Sequence, residues 1–170
     1  MSNLFNQIIE ESNNSFIEKL GIMFHLMKVD LSNYNFEEED NNSEIKFNDF
    51  SLNIKYKFAG KYFNKVGTSL TIWLGYYAEY GFCISFWIEE RHIRNSILNA
   101  IEDLGYNCLC SYSGAKQKNS EEKYWLNIKL QATTYNNNLI NQPESYQKSI
   151  QDEVDKIMTA IMKEIDKWKN

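Results

Sequence analysis

The sequence has few of the residues that metal sites and nucleophilic sites need. Its 170 residues include three cysteines and two histidines. A zinc site takes about four nitrogen or sulfur ligands, usually as close pairs, and the only close pair here is Cys108 and Cys110. Nothing in the sequence connects His25 or His92 to a cysteine as a base to a nucleophile. We therefore expect no metal, no cofactor and no nucleophilic catalytic residue.

Long apolar runs and a basic charge balance are also missing. No apolar stretch reaches 18 residues, which excludes a predicted membrane span. Residues 1–12 lack the basic region, apolar block and small-residue cleavage site of a secretory signal. The odd number of cysteines favours free thiols in a reducing cytoplasm. The net charge of −5 disfavours non-specific binding to nucleic acid or to an anionic membrane. We expect a cytoplasmic protein that does not bind membranes.

What is present is the composition of a globular protein. Apolar residues make up 43% and aromatic residues 15% of the chain. A length of 170 residues suits one domain, 1–170, with a real core. The most apolar and aromatic stretch, 70–91, is typical of two strands with a turn near Ala78 to Gly81. A turn centred near Tyr80 would place Trp73 opposite Trp87. We expect this hairpin at the centre of a sheet.

Period-two and helical patterns predict the remaining elements. Helices are predicted at 3–27, 92–104 and 143–168, and further strands at 50–58, 106–112 and 123–132, with a short strand at 44–47 before them. The acidic run Glu37–Asp40 is predicted to be solvated loop, and 62–67 a linker or irregular edge. Together these predict an α+β fold, a single domain with a mainly antiparallel sheet of five to six strands in the order α-β-β-β-α-β-β-α.

That element order in a small acidic chain resembles the class I chaperones of type III secretion. The resemblance covers most of the chain and is one of element order alone. It implies a bacterial homodimer that holds an extended segment of another protein. It carries no site residues over to this sequence.

Two groups of side chains are candidates for binding. Trp73, Trp87 and Trp125, with Tyr77, occupy the face of their strands opposite the regular apolar face. They could form a stacking platform for bases, a hydrophobic partner surface, or a second core layer under the last helix. Separately, a candidate basic patch comprises Arg91, His92 and Arg94 with Lys116, Lys118 and Lys123. The alternative for this patch is ordinary surface charge.

The order of elements also resembles the core of PD-(D/E)xK nucleases, which hold a divalent metal with carboxylates and support water with a lysine. Glu44 to Lys46 is an E-x-K, but it precedes the central strands. The strand that should carry the E-x-K motif ends in Glu89 to Arg91, and this segment lacks the lysine of the motif. Our first hypothesis is therefore a non-enzymatic cytoplasmic protein-binding module (chaperone-like, immunity-like or an accessory subunit), with another protein as partner and a homodimer as its form. The alternative is a nuclease-like or nucleic-acid-binding component. A small-ligand pocket between the sheet and the last helix is a third hypothesis.

Overall fold

Helices pack on one face of an antiparallel sheet, which confirms the predicted α+β class. The computed structural model of the chain describes residues 21–39, 45–47, 50–53, 58–77, 81–111, 125–134 and 141–168. The described helices are α1 (21–26), α2 (Arg91–Asp103) and α3 (Pro143–Lys167), and a 3₁₀ turn covers Ser32–Tyr34. The last two helices agree with the predicted bounds to one residue. The predicted helix before residue 21 and the predicted loops at 113–121 and 135–140 lie outside the described residues.

The described residues contribute eight strands to one sheet. These are β1 (Phe36–Glu39), β2 (Ile45–Phe47), β3 (Phe50–Asn53), β4 (Phe58–Lys65), β5 (Thr71–Tyr77), β6 (Gly81–Trp87), β7 (Cys108–Ser111) and β8 (Trp125–Lys129). Their order is β2-β3-β4-β5-β6-β8-β7, and β1 also pairs with β4. Every pairing is antiparallel. The sheet thus exceeds the predicted five to six strands, because β1 and β4 were not anticipated as strands.

Both missed strands contain charged residues that tertiary pairing accommodates. The acidic run was predicted as loop, yet Phe36–Glu39 forms β1, with Glu38 opposite Phe63 of β4. Phe36 is buried, whereas Glu37 and Glu38 are exposed. Of the linker or irregular edge predicted at 62–67, residues 62–65 are the second half of β4 and residues 66–67 form a turn. There Lys65 is buried, and its Nζ donates a 2.7 Å hydrogen bond to the Tyr34 carbonyl oxygen.

The central hairpin forms as predicted, but its register differs by two residues. Trp73 lies opposite Ser85, and Thr71 lies opposite Trp87. The pairing is therefore centred on residue 79 and not on Tyr80. The two tryptophans are diagonal and not facing neighbours across β5 and β6.

The main core lies between the helices and one face of the sheet. Strand residues such as Ile72, Leu74, Ile84 and Phe86 belong to the same buried cluster as Ile97 and Ile101 of α2 and the apolar stripe of α3. That α3 stripe consists of Ile150, Val154, Ile157, Ile161 and Ile165. The pattern is the apolar stripe of an amphipathic helix against a sheet face. None of the described helices is long and apolar enough to span a bilayer.

A buried carboxylate on α3 holds the chain after β8. Glu153 accepts hydrogen bonds from the backbone N–H groups of Gln131 and Ala132 at 2.7 and 2.6 Å. It also accepts a 2.9 Å bond from the Tyr106 hydroxyl group. Buried carboxylates need such donors to offset their desolvation. These bonds fix the end of a central strand to the last helix.

Candidate binding face on the sheet

Aromatic side chains cluster on the sheet face that points away from α2 and α3, which we call the aromatic face. By the strand register they include Tyr62, Trp73, Tyr77, Trp87 and Trp125. Residues alternate between the two faces along a strand, so these side chains and those of Ile72 and Leu74 lie on opposite faces of the sheet. Trp73 is buried but is not part of the main core cluster. The second core layer expected under the last helix is therefore not formed by α3, which packs on the other face.

Two rings of the aromatic face meet across two intervening strands. The Tyr62 ring on β4 and the Trp125 ring on β8 are 6.2 Å apart, centroid to centroid, with an interplanar angle of 65°. Three strand spacings separate β4 from β8, about 14 Å. Both side chains must therefore lean inward over β5 and β6, and their contact has the edge-to-face geometry that aromatic pairs favour.

Small polar side chains lie on the same face of β6 and β8. The Ser85 hydroxyl donates to Asn127 Oδ1, and Cys83 Sγ is 3.6 Å from Ser85 Oγ. All three residues are buried. Burial raises the pKa of the Cys83 thiol to about 11, so the thiol is protonated and a poor nucleophile at neutral pH. Cys83, Ser85 and Asn127 therefore form a buried hydrogen-bonded group and not a reactive site.

The four predicted partner-binding residues have different environments. Trp73 is 5% exposed, and its indole lies on the backbone of Gly60. Tyr77, Trp87 and Trp125 are half-buried. Trp73 therefore packs inside this face, and the partly exposed surfaces of the face come from the other three side chains.

Tyr62 belongs to this surface although the sequence analysis did not select it. It is half-buried and contacts Trp125. The sequence does contain a signal for the position of Tyr62. Tyr62 and Asn64 alternate with Phe63 and Lys65 along β4, which places the two pairs on opposite faces of the sheet. A lysine at a buried position obscured that period-two pattern.

The candidate basic patch is not a continuous exposed surface. Arg91 and His92 are exposed at the start of α2, whereas Arg94 is 1% exposed. The His92 ring instead packs edge-on against Trp168, with 4.7 Å between centroids. The three lysines predicted to complete the patch lie outside the described residues.

Among the described residues, the carboxylates at Glu89 and Glu90 lie far from Lys46 of the E-x-K segment. Glu89 and Glu90 are exposed after β6, and Glu90 accepts a 2.9 Å hydrogen bond from Ser69. Lys46 is on β2, four strand spacings from β6, or about 19 Å. Within the described ranges, no three or more His, Cys, Asp or Glu residues form a group suited to a metal ion.

Comparison of the chain with protein-family models, with curated proteins and with solved structures finds no match, so the geometry of the aromatic face is what bears on function.

Proposed function

We propose that this chain is a non-enzymatic protein-binding module that acts through its aromatic face. The observation that carries the proposal is the contact of Tyr62 with Trp125 across β5 and β6, near half-buried Trp87 on the same face. Half-buried Tyr77 is on the same face but six residues further along β5, opposite Gly81. Tyrosine and tryptophan are enriched where proteins bind each other, because they bury much area and lose little conformational freedom.

The proposed partner is another protein, and a second copy of this chain is one such partner. A chaperone-like, immunity-like or accessory role each needs a recognition surface and no reactive group. The protonated Cys83 thiol and the hydrogen-bonded Ser85 support such a role. Cys83 and Cys108 are both free thiols, which supports a reducing cytoplasm as the compartment.

Co-purification with matched tryptophan variants tests the proposal. The tagged wild-type chain is compared with Trp125→Ala and Tyr77→Ala on the aromatic face. Trp168→Ala is the control, since Trp168 is 51% exposed at the end of α3, where it packs against His92 of α2. Captured proteins are quantified by mass spectrometry, and analytical ultracentrifugation measures self-association.

We expect a protein captured by the wild type and by Trp168→Ala, and lost from both face variants. Circular dichroism and urea unfolding must first show that each variant is folded. A dimer that dissociates only in the face variants would identify the partner as a second copy. A strictly monomeric chain that captures nothing at any salt concentration would contradict the proposal.

A further inference from the structure

A ladder of polar contacts holds residues 25–34, which we call the strap, along one side of α3. Three side chains on α3, each four residues from the next, contact the strap: Gln147, Gln151 and Asp155. At one end, His25 Nδ1 is 2.9 Å from Gln147 Oε1. At the other end, the Tyr34 hydroxyl group donates a 2.9 Å hydrogen bond to Asp155 Oδ1. The strap therefore runs in the same direction as α3 and contacts it once in each turn of the helix.

Gln151 is at the centre of this ladder. Its Oε1 accepts a 2.9 Å hydrogen bond from the Asp30 backbone N–H, and its Nε2 donates a 3.0 Å bond to the Asp30 carbonyl oxygen. Nε2 also donates to Asp155 Oδ1 at 3.1 Å, so the contacts of Asp30 and Tyr34 belong to one network. Because residues 27–34 form only short turns, which are not stable alone, the position of the strap depends on α3 and on the core.

Tyr34 connects α3 to the sheet at the end of the strap. Its hydroxyl group contacts Asp155, and its carbonyl oxygen accepts the hydrogen bond from Lys65 Nζ at the end of β4. The next residue, Asn35, has a positive φ of 59°, and its carbonyl oxygen accepts a hydrogen bond from the Val66 N–H. The chain then enters β1 directly, so the strap and β1 are one continuous connection between α3 and β4.

Strand β1 lies beside the ring pair of the aromatic face. Its backbone pairs with residues 62–65 of β4, and Glu39 is opposite Tyr62. The Tyr62 ring in turn contacts the Trp125 ring. The strap is therefore connected, through the four residues of β1, to the strand position that carries Tyr62.

We propose that the strap regulates the aromatic face. When the strap is docked on α3, it holds β1 on β4 and keeps Tyr62 against Trp125. When the strap is released, β1 separates from β4 and the face binds its partner less tightly. The inference rests on the proposed function and specifies its regulation. The coupling is reciprocal, because a partner that binds the face with Tyr62 in place also favours the docked strap.

Hydrogen exchange of the purified chain, measured by mass spectrometry, tests whether the strap and β1 open together. Gln151→Ala removes the central contact of the ladder. Asp152→Ala is the control, since Asp152 is the exposed neighbouring residue on α3. We expect Gln151→Ala alone to speed exchange by about tenfold, as the loss of such hydrogen bonds predicts, and to leave exchange in α2 unchanged. The faster exchange should appear in three segments: 25–34, 36–39 and 62–65.

Fluorine NMR of the same variants reports the state of the aromatic face. The four tryptophans of the chain are labelled with 5-fluorotryptophan and assigned with single Trp→Phe variants. Gln151→Ala should shift or broaden the Trp125 resonance, because Tyr62 no longer keeps one position beside it, and should leave the Trp168 resonance unchanged. Tyr34→Phe removes only the hydroxyl contact with Asp155, and it should produce the same pattern with a smaller size.

Three results from the purified chain would overturn the regulation. The first is faster exchange in the strap of Gln151→Ala with unchanged exchange in β1 and an unchanged Trp125 resonance, since the strap would then open alone. The second is equal exchange in Gln151→Ala and Asp152→Ala. The third is an increase in α2 equal to that in the strap, which would mean that the whole fold is destabilised.

The co-purification experiment separates this inference from the proposed function. Gln151→Ala should capture less of the partner than the wild type does. Full capture by Gln151→Ala, together with loss of capture by Trp125→Ala, would overturn the regulation and leave the proposed function in place. A wild-type chain that captures nothing contradicts the proposed function, whereas hydrogen exchange and the fluorine spectra still decide whether the strap is coupled to the aromatic face.

Discussion

The indole ring of Trp73 lies directly on the bare backbone of Gly60. A Cβ atom on Gly60 would be 2.6 Å from Trp73 Cε2 and 2.5 Å from the Leu74 carbonyl oxygen. Side-chain atoms at those distances overlap, and one of the two contacts is with rigid backbone. The glycine is therefore a packing requirement on β4, and the tryptophan fills the space that it leaves.

Gly60→Ala should accordingly destabilise the fold. Overpacking of this kind costs about 1–3 kcal/mol in the free energy of unfolding, because side chains or strands must shift. Urea denaturation of the purified variant measures the change. Gly21→Ala is the matched control, since a Cβ there meets nothing within 4 Å and its helical backbone suits alanine. Equal stabilities of Gly60→Ala and the wild type would contradict the close packing of Trp73.

Glu153→Gln should lower the free energy of unfolding by about 2–3 kcal/mol. The amide keeps one acceptor oxygen but presents an N–H₂ group where the carboxylate accepts backbone N–H bonds from Gln131 or Ala132. Hydrogen bonds to a charged group contribute more than neutral ones, and a buried donor left unpaired is costly. Asp152→Asn is the control, because the neighbouring Asp152 is exposed. Chemical denaturation that shows equal effects for both substitutions would refute the role of Glu153.

Tyr106 and Tyr146 are both buried, but replacement by phenylalanine should affect stability differently at the two positions. Tyr106 donates to Glu153, so Tyr106→Phe should cost about 1–2 kcal/mol. The Tyr146 hydroxyl is buried without a hydrogen-bond partner among the described residues, and burial raises its pKa to about 12. Tyr146→Phe removes that unpaired group and should leave stability unchanged or raise it. Thermal and urea unfolding measure the stability of both variants. A clear loss of stability in Tyr146→Phe would show that the Tyr146 hydroxyl has a hydrogen-bond partner.

Acid should remove the stabilisation that Glu164 provides. Hydrogen bonds from the Lys167 ammonium and the Ser96 hydroxyl hold the pKa of Glu164 below the usual value for a glutamate. A carboxyl group with a lowered folded-state pKa stabilises the fold above its unfolded-state pKa, and this contribution is lost as the pH falls through the folded-state value. The free energy of unfolding should therefore decrease below about pH 5.

Glu164→Gln isolates this contribution from those of other carboxylates. The variant should be less stable than the wild type at neutral pH, and the difference should shrink as the pH falls. Lys167 is more than half exposed, so solvent screening keeps the effect small. Urea unfolding over a pH series measures both curves. A constant difference across the series would mean that Glu164 acts by packing and not through its charge.

Local patterns allowed accurate prediction of α2, α3 and the two strands of the central hairpin, although not the register of that hairpin. The apolar stripe from Ile150 to Ile165 marks α3, and the apolar and aromatic run 70–91 marks β5 and β6. Both signals are local, since each depends on residues close together in the sequence. Strand β1 was missed because charged residues at 37–39 have low strand propensity, and its pairing with β4 overrides that propensity.

The candidate site could be predicted only in part. The alternation of residues along each strand is enough to place Trp73, Tyr77, Trp87 and Trp125 on the face opposite the regular apolar face. The contact of Tyr62 with Trp125 depends on β8 pairing with β6, and no local pattern specifies strand order. The burial of Arg94 likewise depends on tertiary packing, so its charge made it a misleading candidate for a surface patch.

The position of β8 between β6 and β7 has a consequence for the order of folding. Residues 125–129 complete the sheet next to β6, although 37 residues separate Trp87 from Trp125 along the chain. During synthesis the hairpin of β5 and β6 emerges well before its remaining neighbour, and the unpaired edge of β6 is a template for pairing with other chains. Non-local strand pairing of this kind also slows folding. A chain truncated before residue 125 should therefore aggregate, because its most apolar strand would keep an open edge.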